Sequence, residues 1–369
     1  MNTLLPAVVA GTGPDIALTV NNDVPVEYAL RNSSVDLTQF DDFEDILPQY
    51  NKEAFVPYTF QGGIYGIPET QNFNVIFYRS DILENELGLT IPDDLPQTWD
   101  DVIALLPALQ ENNMQFALPS TEREIDGIKN PDTSAMLAFL FQNQAKLYNE
   151  EQTRTLLDEE QSVEAFEKYT RMYTHYGIPQ KFDFVNRFRT GEMPIGVADY
   201  SNFNTLSVFA PEIRGLWDFA LMPGTLQEDG SIDRTVSFWG QASIMLTDAE
   251  DYDACWTFLK WWADADTKVR FARELESIMG AAARYATANV KTFEELAWSH
   301  DEAAIIKEQW EWTEGAPTVA GGYSTNRHMI NAFRKVTYEN EDPRETLLDY
   351  SRTINEDIRY KRRELGLDE

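Results

Sequence analysis

Cysteine is almost missing from this 369-residue chain: Cys255 stands alone, which excludes an internal disulfide and any cysteine-based metal cluster. It lies in the apolar helical run DACWTFLKWW, so it reads as a buried, inert thiol and not a nucleophile. Histidine is nearly as scarce. His175, His300 and His328 stand far apart, and none belongs to an HExxH or other metal-ligand spacing, so no cofactor is expected. Basic residues are in deficit, 30 against 62 acidic ones, for a formal charge of −32. A surface so acidic repels phosphate backbones, which argues against nucleic acid and against unaided binding to anionic membranes. The acidic run Asp41–Asp45 lacks the alternating ligands and central glycine of a calcium loop and reads as a solvated face.

Other absences concern runs and motifs. No apolar stretch approaches the roughly 18 residues of a membrane span, and the start MNTLLPAVVAGTGPDIAL has no basic region of a signal peptide. That start reads as a helix tail, Leu4–Ala10, a turn, and a buried strand, Asp15–Val20, which implies natural chain ahead of Met1. GxSxG, GxxxxGK and GxGxxG are missing. Paired carboxylates for glycoside hydrolysis are available by chance in any acidic chain. The expectation is a non-enzyme; the alternatives are a glycan-processing enzyme with aromatic subsites and a non-transport sensor.

What is present fills two domains: 43% apolar residues, with 9 Trp, 16 Tyr and 21 Phe. Strand-like runs alternate with helices, predicting an α/β protein with parallel sheets of the βαβ kind and no floppy linker. Thr98 is placed to cap an amphipathic helix. The stretch FQGGIYGIPETQNFNVIFYRSD, from Phe60 to Asp81, organises the rest: a short strand Ile64–Ile67, a stop at Pro68, a polar elbow Glu69-Thr70-Gln71-Asn72, and an apolar strand Val75–Tyr78. Consecutive polar groups inside a core strand need partners. Their own backbone could supply these, and so could a ligand.

Strand exits carrying amides, carboxylates and rings recur: Asn21-Asn22-Asp23, Glu69–Asn72, Tyr200-Ser201-Asn202, Trp239 beside Gly240, and Tyr323 through Arg327. Carbohydrates ask for this mixture, since their C–H faces stack on rings and their hydroxyls need planar polar partners. The helical pairs Trp261-Trp262 and Trp310/Trp312 are assigned to core packing.

In order, the pieces LLPAVVAGTGPDIAL, YGIPETQNFNVIFYRSDIL, PQTWDDV, FRTGEMPIGVADYSN, SFWGQASIMLT and CWTFLKWWADADTKVRFARELESIMGAAARYATANV, with the C-terminal helices, resemble the sugar-type extracellular solute-binding proteins, the maltose-binding-protein-like receptors of ABC importers. The resemblance covers essentially the whole chain. It implies a periplasmic-binding-protein-like fold of two α/β lobes with hinge crossovers closing over one ligand. Lobe one would be residues 1–70 plus 241–313, lobe two 71–240 plus 314–369. It further implies a fragment lacking an N-terminal strand, helix and signal peptide, and a native cell-surface lipoprotein of a Gram-positive bacterium. An ABC permease would be its partner, and the membrane would be reached only through a lipid anchor outside this chain. Carried over residue by residue, the ligand-binding positions are Asn21, Asn22, Asp23, Glu69, Gln71, Asn72, Tyr200, Trp239, Tyr323 and Arg327. Trp239, Tyr200 and Tyr323 would stack; Glu69, Gln71, Asn22 and Arg327 would bind hydroxyls.

Overall fold

The computed structural model describes residues 4–125 and 128–367, with side chains described outside 122–131. Seven strands form the main sheet: β1 (Ile16–Asn21), β2 (Ile67–Arg79), β3 (Phe116–Ala117), β4 (Ile195–Asp199), β5 (Trp217–Ala220), β6 (Val236–Met245) and β7 (Thr313–Glu314). Their order is β1-β6-β2-β4-β3, with β7 beside β6 and β5 beside β2. The expectation of parallel βαβ pairing is corrected: β1–β6, β6–β2, β2–β4 and β2–β5 are antiparallel, and only β6–β7 and β3–β4 run parallel. Alternating helices and strands imply parallel neighbours only when each crossover stays in one sheet half. Here β2 and β6 are long enough to belong to both halves.

The first half of β2 pairs with β6, which in turn pairs with β1. The second half pairs with β4 and β5. These two strands are therefore the crossovers between two lobes. The expected elbow at residues 69–72 is a further correction, because β2 runs unbroken for 13 residues.

Helices cover both halves: α1 (Val24–Ala29), α2 (Ser134–Gln142), α3 (Asn202–Phe209), α4 (Tyr252–Ala263), α5 (Ala265–Met279), α6 (His300–Glu311), α7 (Thr325–Glu339) and α8 (Pro343–Glu364). Thr98 caps the helix Trp99–Glu111 as expected, in a reciprocal capping box with Asp101. The β1 half is packed on one side by Val20, Tyr58, Ala242 and Ile244, and on the other by Phe43, Phe55, Met245 and Trp256. Cys255 is buried in that second cluster. The larger core, around Phe73, Phe77, Phe166 and Phe219, fills the other lobe.

The lobes are not sealed off from each other. Phe293, Ile306 and Trp310, on and near α6, join the larger core, and Trp310 lies 6.0 Å from Phe73 between ring centroids. Gln309 accepts from Met222 N–H at 2.7 Å and donates to the Arg234 carbonyl at 3.1 Å. Leu365 and Leu367, just past α8, pack on Val26, Leu30 and Phe60 of the first lobe.

Candidate functional site on the crossover sheet

Side chains alternate faces along a strand, and this rule splits the polar run of β2 in two. Thr70, Asn72 and Asn74 share one face. Opposite them in register are Gln241 to Thr70 and Trp239 to Asn72 on β6, and Asp199 to Asn74 on β4. Residues directly opposite in an antiparallel pair project to the same side, so six polar or amphipathic side chains line one patch where the lobes join.

Hydrogen bonds knit the patch together. Asn72 Nδ2 donates to Ser201 Oγ at 2.8 Å, Asn74 Nδ2 to Ser134 Oγ at 3.0 Å, and Trp239 Nε1 to Asp199 Oδ1 at 3.2 Å. Three acceptors on this face, Thr70 Oγ1, Asn72 Oδ1 and Asn74 Oδ1, are buried without a partner among the described residues. Buried polar atoms are ordinarily paired, so three unpaired ones together set this face apart from the rest of the sheet. Trp239 is 41% exposed despite its position in a central strand, presenting a ring face beside those acceptors.

The end of β1 abuts this patch. Asn21 pairs with Gln241, and Asn22 Oδ1 accepts from the buried Tyr58 hydroxyl at 2.7 Å. Asp23 follows, exposed, ahead of α1. On the other side, Thr133 Oγ1 donates to Asn326 Oδ1 at 3.4 Å, and Thr133 precedes the Ser134 that holds Asn74. Asn326 lies between Tyr323, 60% exposed, and Arg327, also exposed, at the start of α7.

The structure thus brings Asn21, Asn22, Asn72 and Trp239 together, with Asp23 following Asn22 in the chain and Tyr323 and Arg327 exposed beside the Asn326 that bonds Thr133. It places three expected residues elsewhere. Gln71 is fully buried on the opposite face, its Oε1 accepting from Trp310 Nε1 at 2.8 Å. Tyr200 packs 4.8 Å from Phe73 and donates its hydroxyl to the Gln71 carbonyl at 3.1 Å. Burial pushes its phenol well up, keeping it a donor. Tyr200 therefore has no free face for stacking.

Glu69 is the third. Its Oε1 accepts from Thr19 N–H at 2.8 Å and Ser243 Oγ at 2.5 Å, and its Oε2 from Trp262 Nε1 and Lys268 Nζ, both at 3.0 Å. Burial alone would raise this carboxyl; the buried Lys268 ammonium and the donors around it outweigh burial and hold it below the usual glutamate value. Lys268 also sits 3.9 Å from the Trp262 ring centroid. With four donors on two oxygens, Glu69 is a structural hub, not a hydroxyl partner. Conversely, Asn74, Ser134 and Gln241 are residues of this patch that the sequence reading did not select. Running the two-residue strand period through Ile67–Arg79 would have found Asn74.

A mixed sheet crossing twice between two lobes, with a polar, ring-bearing face at the crossing, defines a two-lobed binding protein. Residues 1–297 match the sequence profile of the bacterial extracellular solute-binding proteins, and the chain belongs to that family. No curated protein sequence matches it. Among solved structures, the sugar-binding protein MalE of Xanthomonas citri superimposes with a TM-score of 0.81 at 19% identity, over 100% of this chain and 89% of that one. The cyclic alpha-maltosyl-1,6-maltose binding protein of Arthrobacter globiformis gives 0.76 at 18%, over 97% and 88%. A solute-binding protein of Thermotoga lettingae bound with alpha-D-tagatose gives 0.74 at 17%, over 97% and 88%. The periplasmic-binding-protein-like fold expected from sequence is therefore the one observed.

Proposed function

We propose that the chain is the receptor of an ABC importer, working outside the cell, and that it captures a carbohydrate on the polar face of the crossover sheet. The observation that carries this reading is the exposed Trp239 ring set beside three unpartnered acceptors, Thr70 Oγ1, Asn72 Oδ1 and Asn74 Oδ1. A ring stacks on a sugar face while acceptors take its hydroxyl protons. Asn21, Asn22 and Asp23 approach the ligand from one lobe, and Tyr323 and Arg327 from the other. The lobes are residues 1–70 plus 241–313 and 71–240 plus 314–369, with α6 bridging the boundary. Contacts from both favour the closed arrangement by differential affinity, and the closed receptor delivers its sugar to a membrane permease. The role is capture without turnover, in keeping with a family of binding proteins and with similar structures that hold maltose and maltotetraose.

A thermal-shift and calorimetric panel of maltose, maltotetraose, acarbose and tagatose, with amino acids and peptides as the comparison class, tests this. A saturable rise in melting temperature with a sugar is expected, and Trp239→Ala weakens binding by roughly 1–3 kcal/mol, the scale of one stacking platform. Stabilisation by a comparison solute and by no sugar overturns the carbohydrate assignment.

A further inference from the structure

Two irregularities of the sheet meet at one buried carboxylate. On β1, the register to β6 slips between Ala17 and Val20, and Thr19 lies at φ +53°. On β2, the register slips where Glu69 lies, so that Thr70 opposes Gln241 while Pro68 opposes Ala242. A left-handed conformation is an outlier for a β-branched residue, because its Cβ substituents crowd the following carbonyl. Such strain persists only where surroundings hold it, and it clusters at functional positions.

Here the holders are on both sides of one residue. Glu69 Oε1 takes the Thr19 N–H at 2.8 Å, and Gln241 Nε2 donates to the Thr19 carbonyl at 3.2 Å. Glu69 is itself fixed by Ser243, Trp262 and Lys268. Two residues beyond Thr19 the chain presents Asn21, Asn22 and Asp23. We propose that Glu69 is a positioning residue, acting through Thr19: it holds the strained bulge of β1 that delivers Asn21–Asp23 to the ligand face. The inference rests on the assignment of that loop to ligand binding. It turns the Glu69–Lys268 pair from a general buried ion pair into a template for the site.

The test replaces Glu69→Leu together with Lys268→Met, which removes the acceptor without stranding a buried charge. The probe is whichever of maltose, maltotetraose, acarbose and tagatose binds the parent chain, and hydrogen exchange over residues 16–23 gives a second, ligand-independent readout. The pair of changes is expected to speed that exchange and weaken sugar binding about tenfold, the bias against a left-handed threonine. Adding Thr19→Gly, which adopts positive φ at no steric cost, restores affinity and protection while any loss of melting temperature persists. Thr19→Pro, at an exposed position and with neither the N–H nor the left-handed φ, weakens binding about tenfold by itself, and it decides the matter should the core variant not fold. Parent-like affinity and exchange in either variant, or no rescue by glycine, overturns the proposal. If no sugar binds the parent chain, the carbohydrate assignment falls, and the exchange arm alone decides whether Glu69 sets the loop.

Discussion

Three neighbours on one strand, Glu69, Gln71 and Asn72, have three different fates, and partner chemistry decides each. Asn72 keeps its Oδ1 unpaired on the face that carries Trp239. Gln71 spends its oxygen on Trp310, and Glu69 spends four lone-pair directions on four donors. The carboxylate's depressed proton affinity has a consequence for stability. A group whose folded value lies below its unfolded one stabilises above the unfolded value, about 4.3 for glutamate, and loses that contribution as the pH falls through the folded one. The melting temperature of the parent chain should therefore exceed that of Glu69→Gln at neutral pH, with the gap closing as the medium is acidified below about pH 4.3. Melting curves collected across this range check it; a gap that stays constant to the acid limit contradicts the ionised assignment.

At the scale of elements, β2 and β6 decide where the site lies, and their contact is close. An added Cβ at Gly240 would lie 2.0 Å from the Thr70 carbonyl oxygen and 3.6 Å from Asn22 Oδ1. Backbone cannot yield as a flexible side chain does. Gly240→Ala is expected to splay the two crossovers, costing roughly 1–3 kcal/mol in a denaturant titration and weakening ligand binding in parallel. Parent-like stability would mean that the strands part without cost. The sequence marked this approach through the Trp239-Gly240 pair inside a strand pattern, just as Thr98 marked a helix start. The elbow that β2 lacks was a different matter. A strand with one polar and one apolar face shows alternation, but residues 69–72 are polar on both faces: one lies beside Trp239 and the other meets the ion-pair hub and Trp310. Nothing in the local pattern separates such a strand from a loop. Its antiparallel pairing depends on chain more than a hundred residues away, which is also why Tyr200 looked like a stacking ring before Phe73 was seen to cover it.

Across the whole molecule, the question is whether two lobes behave as two folding units. They share β2 and β6, and an aromatic seam crosses the boundary: Phe73 with Trp310 at 6.0 Å, Tyr200 with Trp298 at 6.1 Å, and Phe203 with Trp298 at 5.1 Å, with Phe293 backing Trp310 at 5.4 Å. Domains that unfold separately meet through modest, polar interfaces, whereas this seam is buried and apolar and draws α6 into the larger core. The hinge closure proposed above would therefore have to take place within a cooperative fold, with the seam held intact. Scanning calorimetry of the parent chain should give one endotherm with matching calorimetric and van't Hoff enthalpies. Trp310→Ala removes a fully packed ring and leaves Gln71 Oε1 without its donor. It should cost roughly 3–5 kcal/mol and resolve the endotherm into two, the β1 half separating from the β4 half. Two transitions already in the parent chain, or one unshifted endotherm in the variant, would show that the seam does not couple the lobes.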